Sequence, residues 1–183
     1  MKDKMLTTKK LVITALFTAL IAVATVSVQI PLPFGYANLG DAFVLLSALI
    51  LGGLWGATAS GLGSALADII LGFAIYAPAT FIIKGLVALV ASLLLRILGK
   101  HIRYDIIYQI IACIVAEFIM IAGYFFYEAV VLGYSWGATA SIVGNVMQAA
   151  VGIVIALLTM TVFSNRKIFL SDNNNSKEHN NDE

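Results

Sequence analysis

The stretch PATFIIKGLVALVASLLLR at residues 78–96 decides the class of this protein, because it is long, apolar and carries one internal charge, Lys84. An α-helix of this length rises by about 1.5 Å per residue and covers the ~30 Å hydrocarbon core of a bilayer. Pro78 stands at a favoured first-turn position and Arg96 ends the run. The stretch therefore predicts a membrane-spanning helix that keeps one cation within the bilayer.

The composition extends this prediction to the whole chain. Of its 183 residues, 61% are hydrophobic and 11% are charged, and the mean hydropathy is +0.97. A soluble protein of this composition would expose too much apolar surface to water, so lipid is the expected solvent. The net charge of +1, with cations clustered beside apolar runs, argues against a nucleic-acid partner.

Five more apolar runs predict a six-helix bundle. Between the first two runs, PLPFGYANLG at residues 31–40 contains two prolines and two glycines, which break a continuing helix. We therefore predict an all-α integral membrane fold with six transmembrane helices and this loop between helices 1 and 2. The membrane domain is predicted to comprise residues 1–165, and the Asn-rich remainder at 166–183 a largely disordered cytoplasmic tail. The predicted spans cover residues 11–30, 41–51, 55–73, 78–96, 106–132 and 137–163, the second being half-length or tilted.

The positive charges predict the orientation. All Lys and Arg residues except Lys84 precede span 1, flank the loop after span 4 or follow span 6. Because cytoplasmic loops carry an excess of Lys and Arg, both termini of this multi-pass cell-membrane protein are expected in the cytoplasm. The cations concerned are Lys2, Lys4, Lys9, Lys10, Arg96, Lys100, Arg103, Arg166, Lys167 and Lys177.

Two charged residues in neighbouring spans predict an ion pair. A charge at the bilayer centre costs at least ~2.5 kcal/mol and is usually compensated within the protein. Asp68 in span 3 and Lys84 in span 4 each lie about six residues from the outer end of their helix, hence at similar depth. We expect them to pair, either for structure alone or beside a ligand.

Polar stripes on the last two spans predict a pocket between helices. Glu117, Tyr124 and Glu128 share one face of span 5, and Asn145 and Gln148 share one face of span 6. Interhelical hydrogen bonding, worth about 0.6 to 2 kcal/mol, is the alternative role for the two amides. Exposure to water at the outer end of span 5 is the alternative for Glu128.

Small residues mark one face of span 1. Ala15, Ala19 and Ala22 recur there near the cytoplasmic end. Such a face lets a second helix approach closely, either inside the bundle or from another membrane protein.

The missing motifs limit the function. The chain has no G-x-x-x-x-G-K-[ST] sequence, so ATP hydrolysis through a P-loop is not expected. Both histidines, His101 and His179, fall outside the spans, which argues against a Ser–His dyad or a histidine metal site in the membrane. We therefore expect no enzyme activity, no catalytic residue, no metal and no cofactor.

Five motifs and the A-x-x-x-A spacing of Ala15 and Ala19 occur together over about residues 5 to 165. The motifs are PLPFGYANLGD (31–41), GLGSALAD (61–68), YAPATFIIKG (76–85), GYFFYE (123–128) and GNVMQ (144–148). In these motifs and in its six-span plan the chain resembles S-components, the substrate-binding membrane subunits of energy-coupling factor (ECF) transporters. It is most similar to the riboflavin-type group, which includes uptake proteins for hydroxymethylpyrimidine and related B-vitamin precursors.

The resemblance implies that substrate capture and ATP hydrolysis belong to different subunits of one transporter. An S-component captures a vitamin in a pocket between the outer halves of spans 4 to 6, and the loop after span 1 caps the substrate. It docks on a transmembrane coupling subunit through the small-residue face of span 1, two cytoplasmic ABC-type ATPases power the complex, and the S-component topples to release its cargo. The implied partner interface is Ala15, Ala19 and Ala22. The implied substrate-binding residues are Tyr36, Asn38, Lys84, Glu117, Tyr124, Glu128, Asn145 and Gln148.

The polar side chains favour a small aromatic ligand. Carboxylates at Glu117 or Glu128 could accept hydrogen bonds from an amino-substituted heterocycle, and Tyr124 or Trp136 could stack on a flat ring. We expect hydroxymethylpyrimidine first and pyridoxine next, with riboflavin as the larger-ring alternative. A stand-alone small-solute permease and a purely structural membrane subunit are the alternatives from other classes.

Overall fold

The computed structural model describes residues 2–31, 36–101 and 105–179. Residues 32–35 of the predicted loop, Arg103 and residues 180–183 of the predicted tail lie outside the described part of the chain. The described chain forms six α-helices, named α1 to α6, and one hairpin of two short strands, β1 and β2. In chain order the elements are α1 (Lys2–Ser27), β1 (Gln29–Pro31), β2 (Tyr36–Asn38), α2 (Gly40–Ile50), α3 (Gly53–Ile70), α4 (Ala77–Leu98), α5 (Asp105–Phe126) and α6 (Thr139–His179).

The helices confirm an all-α integral membrane class. Within the described residues, four helical segments are long and apolar enough to cross a bilayer: Thr8–Ser27, Ala77–Leu98, Ile106–Val131 and Ser135–Val162. Helix α2 is a shorter apolar helix of 11 residues. The count of six spans therefore stays a prediction, although six helices follow one another in the predicted order.

The large apolar side chains divide between a dry core and the outer surface. Ile21, Leu45, Val87 and Met120 are fully buried where α1, α2, α4 and α5 meet. Many other Leu, Ile, Val and Phe side chains are exposed on the outside of the bundle, Phe118 among them at 68%. An apolar outer surface around an apolar core is expected for a protein whose solvent is hydrocarbon.

Helix α3 packs closely because its glycines leave room for its neighbours. A Cβ atom on Gly61 would lie 2.7 Å from the backbone oxygen of Phe81 in α4. A Cβ atom on Gly63 would lie equally close, 2.7 Å, to the backbone oxygen of Thr18 in α1. The small residues of α3 therefore serve packing within the bundle.

The loop after α1 contains secondary structure that the sequence did not predict. Strands β1 and β2 pair antiparallel, with Gln29 opposite Asn38 and Pro31 opposite Tyr36. Strands of three residues show too little alternation to be recognised from sequence. The hairpin holds Tyr36 beside α3 and Asn38 beside α6, which the site below requires.

Helix α6 continues beyond the predicted membrane domain. Its backbone is helical to His179, whereas disorder was expected from residue 166. No Gly or Pro follows Gly152, so no residue type interrupts the helical hydrogen-bond ladder. The domain division at residue 165 stays a prediction.

Candidate functional site

A small polar cavity lies under the β1–β2 hairpin. Its volume is about 30 Å³, which is enough for about two water molecules, since each needs roughly 10–15 Å³ of such space. A larger ligand would therefore require side chains or the hairpin to move. The cavity is lined by Tyr36, Asp68, Phe73, Tyr76, Tyr124, Glu128, Asn145 and Gln148.

The structure brings most of the predicted ligand residues together at this cavity. The five that line it are Tyr36, Tyr124, Glu128, Asn145 and Gln148. Asn38, Lys84 and Glu117 do not line it; Asn38 and Lys84 contact lining residues instead. Trp136, a predicted stacking partner, is 81% exposed and lies outside the cavity lining.

Two lining residues, Phe73 and Tyr76, were missed by the sequence analysis. Both lie in the connection between α3 and α4, and the ring of Phe73 is 5.0 Å from that of Tyr36 and 6.3 Å from that of Tyr76. The signal that could have found them is the aromatic spacing of the FAIY segment beside YAPATFIIKG. This spacing indicates a site only when the contact between Phe73 and Tyr36 of the hairpin is known.

The predicted ion pair between Asp68 and Lys84 is wrong. Lys84 pairs with Asp41, at the first turn of α2, and their side chains are 3% and 1% exposed. Asp68 instead accepts a hydrogen bond of 2.5 Å from the hydroxyl of Tyr36. Depth along α3 and α4 could not identify the partner of Lys84, because Asp41 at the start of α2 also reaches this ammonium.

Gln148 joins the hairpin to this charge pair. Its Nε2 donates to Oδ2 of Asp41 at 2.5 Å. Its Oε1 accepts from the backbone N–H of Asn38 at 2.8 Å and from Nδ2 of Asn38 at 3.3 Å. Gln148 on α6 thus holds β2, α2 and the ammonium of Lys84 in one network.

Tyr36 is held as a hydrogen-bond donor at the mouth of the cavity. Burial, together with the nearby carboxylate of Asp68, raises the pKa of Tyr36 above its usual range. The hydroxyl therefore keeps its proton at ordinary pH and donates it to Asp68.

Glu128 is a buried acceptor and not a surface residue. It is 2% exposed, which makes the alternative of simple exposure to water wrong. The hydroxyl of Ser141 donates to its Oε2, and the hydroxyl of Tyr76 donates to its Oε1 at 3.4 Å. Burial and the Glu128 carboxylate raise the pKa of Tyr76, so this phenol also stays a donor.

A π-helical turn positions Glu128. Residues Tyr127–Val131 follow α5 with the wider π hydrogen-bond spacing, and Gly133 then adopts a left-handed φ of 74°. Single π turns within helices are frequent at functional sites because they rotate side chains away from the α-helical register.

Asn145 and Tyr124 provide the remaining polar wall. Asn145 is 6% exposed and lines the cavity, and its side-chain amide makes no hydrogen bond with another described residue. The hydroxyl of Tyr124 donates to Thr80 at 3.0 Å, and the ammonium of Lys84 lies 5.5 Å from the centre of its ring. The amide of Asn145 is thus available to a ligand, and the ring of Tyr124 connects the cavity to the charge pair.

The predicted partner face of span 1 lies on the outside of the bundle. Ala15 and Ala19 are exposed, and Ala22 is half-buried. The side of α1 that enters the core carries Phe17 and Ile21. Ala15 and Ala19 are therefore not used for packing within the described bundle.

Comparison with known proteins adds three findings. A family model described as "ECF-type riboflavin transporter, S component" matches residues 5–164. A Pyrococcus woesei protein described as "Uncharacterized protein in gap 3'region" is 33% identical over 137 residues, which are 74% of this chain and 88% of that protein. A solved structure reported as "Structure and mechanism of the S component of a bacterial ECF transporter" has a TM-score of 0.63 at 20% identity, over 90% of this chain and 98% of that one. At this identity the structural likeness shows a common fold.

Proposed function

Because the chain belongs to the family of ECF-type riboflavin transporter S components, we propose that it captures a vitamin or vitamin precursor in the cavity under the hairpin. Members of this family are substrate-binding subunits of transporters and not enzymes. The membrane location follows from the family and the apolar helices. The proposal concerns the ligand, the residues that hold it and the partners.

The observation that carries the proposal is the buried, unpartnered amide of Asn145 at a cavity walled by carboxylates and aromatic rings. Asp68 and Glu128 can accept hydrogen bonds from amino or hydroxyl groups, and the Asn145 amide can both donate and accept. The rings of Phe73 and Tyr76 offer apolar faces to a flat heterocycle. A small aromatic with hydrogen-bonding substituents meets all three conditions.

Hydroxymethylpyrimidine is the favoured ligand, followed by pyridoxine. Both are single rings with amino, hydroxyl or hydroxymethyl groups, and a single ring requires less expansion of a cavity of about 30 Å³ than a fused system does. Riboflavin is the larger alternative.

The test is direct binding by the purified full-length protein in lipid bilayers. Tritiated hydroxymethylpyrimidine, pyridoxine and riboflavin are titrated separately. Asn145→Ala is expected to weaken binding of the true ligand about tenfold or more, since leaving polar groups unpaired costs about 1–3 kcal/mol. Val146→Ala, at an exposed position next to it, is the matched control and should bind like the wild type. Failure to bind any of the three compounds would contradict the ligand proposal.

Delivery is proposed to need a transmembrane coupling subunit and two cytoplasmic ABC-type ATPases, with both termini of the S component in the cytoplasm. The distribution of Lys and Arg supports this orientation. Uptake in cells should stop when the ATPases are deleted, while binding to the isolated protein persists. Uptake that continues without them would favour a stand-alone permease.

A further inference from the structure

Glu117 is a buried carboxylate that the cavity does not use. Its side chain is 1% exposed, and neither carboxylate oxygen has a hydrogen-bond partner among the described residues. The titratable groups close enough to act on it are Asp41 on α2, Lys84 on α4 and Cys113 one turn earlier on α5. It therefore lies beside the Lys84–Asp41 pair without belonging to it.

The local charges do not balance if every group is ionised. Lys84 is the only Lys or Arg in residues 11–95, and residues 106–163 contain none. This single cation is already paired with Asp41. The same ammonium also acts electrostatically on Asp68, so an ionised Glu117 would add a third carboxylate to one ammonium in a medium of low dielectric constant. Burying an uncompensated charge there costs far more free energy than binding a proton at neutral pH.

A proton fits this place better than a metal cation. The ammonium of Lys84 repels a further cation, and the described residues contain no group of three or more His, Cys, Asp and Glu side chains that could hold a metal ion. A proton needs no ligand shell and no cavity.

We propose that Glu117 is a proton-binding site. Its side chain is a neutral carboxylic acid while Asp41 is the counterion of Lys84. When the pair of Lys84 and Asp41 is broken, Glu117 ionises and replaces Asp41 as the counterion. In the exchange the O–H bond of Glu117 breaks, its electron pair stays on the carboxylate, and the proton passes to Asp41. In the Asp41→Asn variant, residue 41 cannot accept the proton, which then passes to water. The site concerns the resting protein and does not depend on which ligand is captured.

The exchange is connected to the hairpin by two hydrogen bonds. Asp41 accepts from Gln148, and Gln148 accepts from Asn38 on β2. A movement of the hairpin that displaces Gln148 removes one of the contacts that stabilise Asp41 as an anion. The proton on Glu117 thereby becomes sensitive to the position of the hairpin.

The test is infrared spectroscopy of the full-length protein in lipid at neutral pH. A protonated carboxyl group has a carbonyl band separate from those of carboxylates and amides. Subtracting the Glu117→Gln spectrum from that of the wild type should leave a positive carboxyl band. The same subtraction in an Asp41→Asn background should leave none, because Glu117 is then the counterion of Lys84.

The controls make each outcome decisive. Subtracting the Glu128→Gln spectrum should leave the same carboxyl bands in the wild-type and Asp41→Asn backgrounds, since Glu128 does not contact Lys84. Glu117→Gln should also keep the wild-type melting temperature, because Gln resembles the neutral acid. If Asp41→Asn does not fold, Lys84→Met replaces it; the Glu117 band should then persist in the subtraction, and the Lys84→Met spectrum itself should gain a carboxyl band from Asp41. Absence of the band in the first subtraction, or its persistence with Asp41→Asn, would overturn the proposal.

Discussion

The side chain of Gln148 on α6 accepts a hydrogen bond of 2.8 Å from the backbone N–H of Asn38 in the hairpin. The two residues are 110 positions apart in the sequence. The same amide group donates to Asp41, so one side chain links the cover of the cavity to the buried charge pair below it.

Replacing Gln148 by Leu should release the hairpin. All three hydrogen bonds of the Gln148 side chain are lost, and we expect a destabilisation of about 1–3 kcal/mol because buried partners are left unpaired. Hydrogen exchange should show faster exchange of the Asn38 amide. Met147→Leu, at the exposed neighbouring position, serves as the control. Equal protection of Asn38 in both variants would contradict a restraining role for Gln148.

A double-mutant cycle should assign the partner of Lys84. Lys84→Met leaves buried carboxylates without a cation, and breaking a buried pair in this way costs about 3–5 kcal/mol. Asp41→Asn in the Lys84→Met background should recover part of that loss. The parallel cycle with Asp68→Asn should show a smaller coupling free energy, measured by denaturant unfolding in the same lipid or detergent. Larger coupling for Asp68 would show that Asp68, and not Asp41, is the partner of Lys84.

Tyr36 should make stability depend on alkaline pH. The pKa of its phenol is raised in the folded protein, whereas the unfolded chain loses this proton near pH ~10. The folded state then holds more protons than the unfolded state above about pH 10, so the stabilisation present below that pH decreases as pH rises, by at most about 1.4 kcal/mol per pH unit. Tyr36→Phe should show a shallower decline in the free energy of unfolding. Parallel curves for the two proteins would contradict the buried donor role.

Tryptophan at Ala15 or Ala19 should prevent docking without affecting capture. Both alanines are exposed on α1, so a large side chain can be accepted by lipid but not by a closely packed helix of a partner. Co-purification with the coupling subunit should be lost, and ligand affinity should stay unchanged. Ala150→Trp, at an exposed position of α6, is the matched control. Loss of ligand binding together with the partner would show that this face stabilises the bundle instead.

The polar stripes could be predicted from the sequence because a helix has a fixed period, and the ligand-binding role of their residues stays a prediction. Asn145 and Gln148 on α6 are three residues apart and share a face whatever the neighbouring helices do, and Glu128, four residues after Tyr124, lies in the π turn that follows α5. The structure places all four at the cavity. Glu117 was predicted to line the pocket on the same basis. It lies instead among buried side chains, away from the cavity lining.

The hairpin contacts and the ion pair could not be obtained in the same way. Asp41 follows the loop directly, where an acidic residue is typical of a helix start. The residues around it therefore give no indication that it pairs with Lys84. The contact between Tyr36 and Asp68 likewise joins a strand and a helix that are separate in the sequence.

The sequence by itself determined that this is a membrane protein, that apolar helices make up most of it, and which polar residues share a helix face. Those properties follow from the transfer free energy and helical period of each segment, and they are independent of its neighbours. Only the tertiary structure decided that Lys84 faces Asp41, that Gln148 connects this pair to the hairpin and that Glu117 is left without a partner. Such choices depend on the rotation of each helix about its axis, and that rotation is set by the packing of the whole bundle.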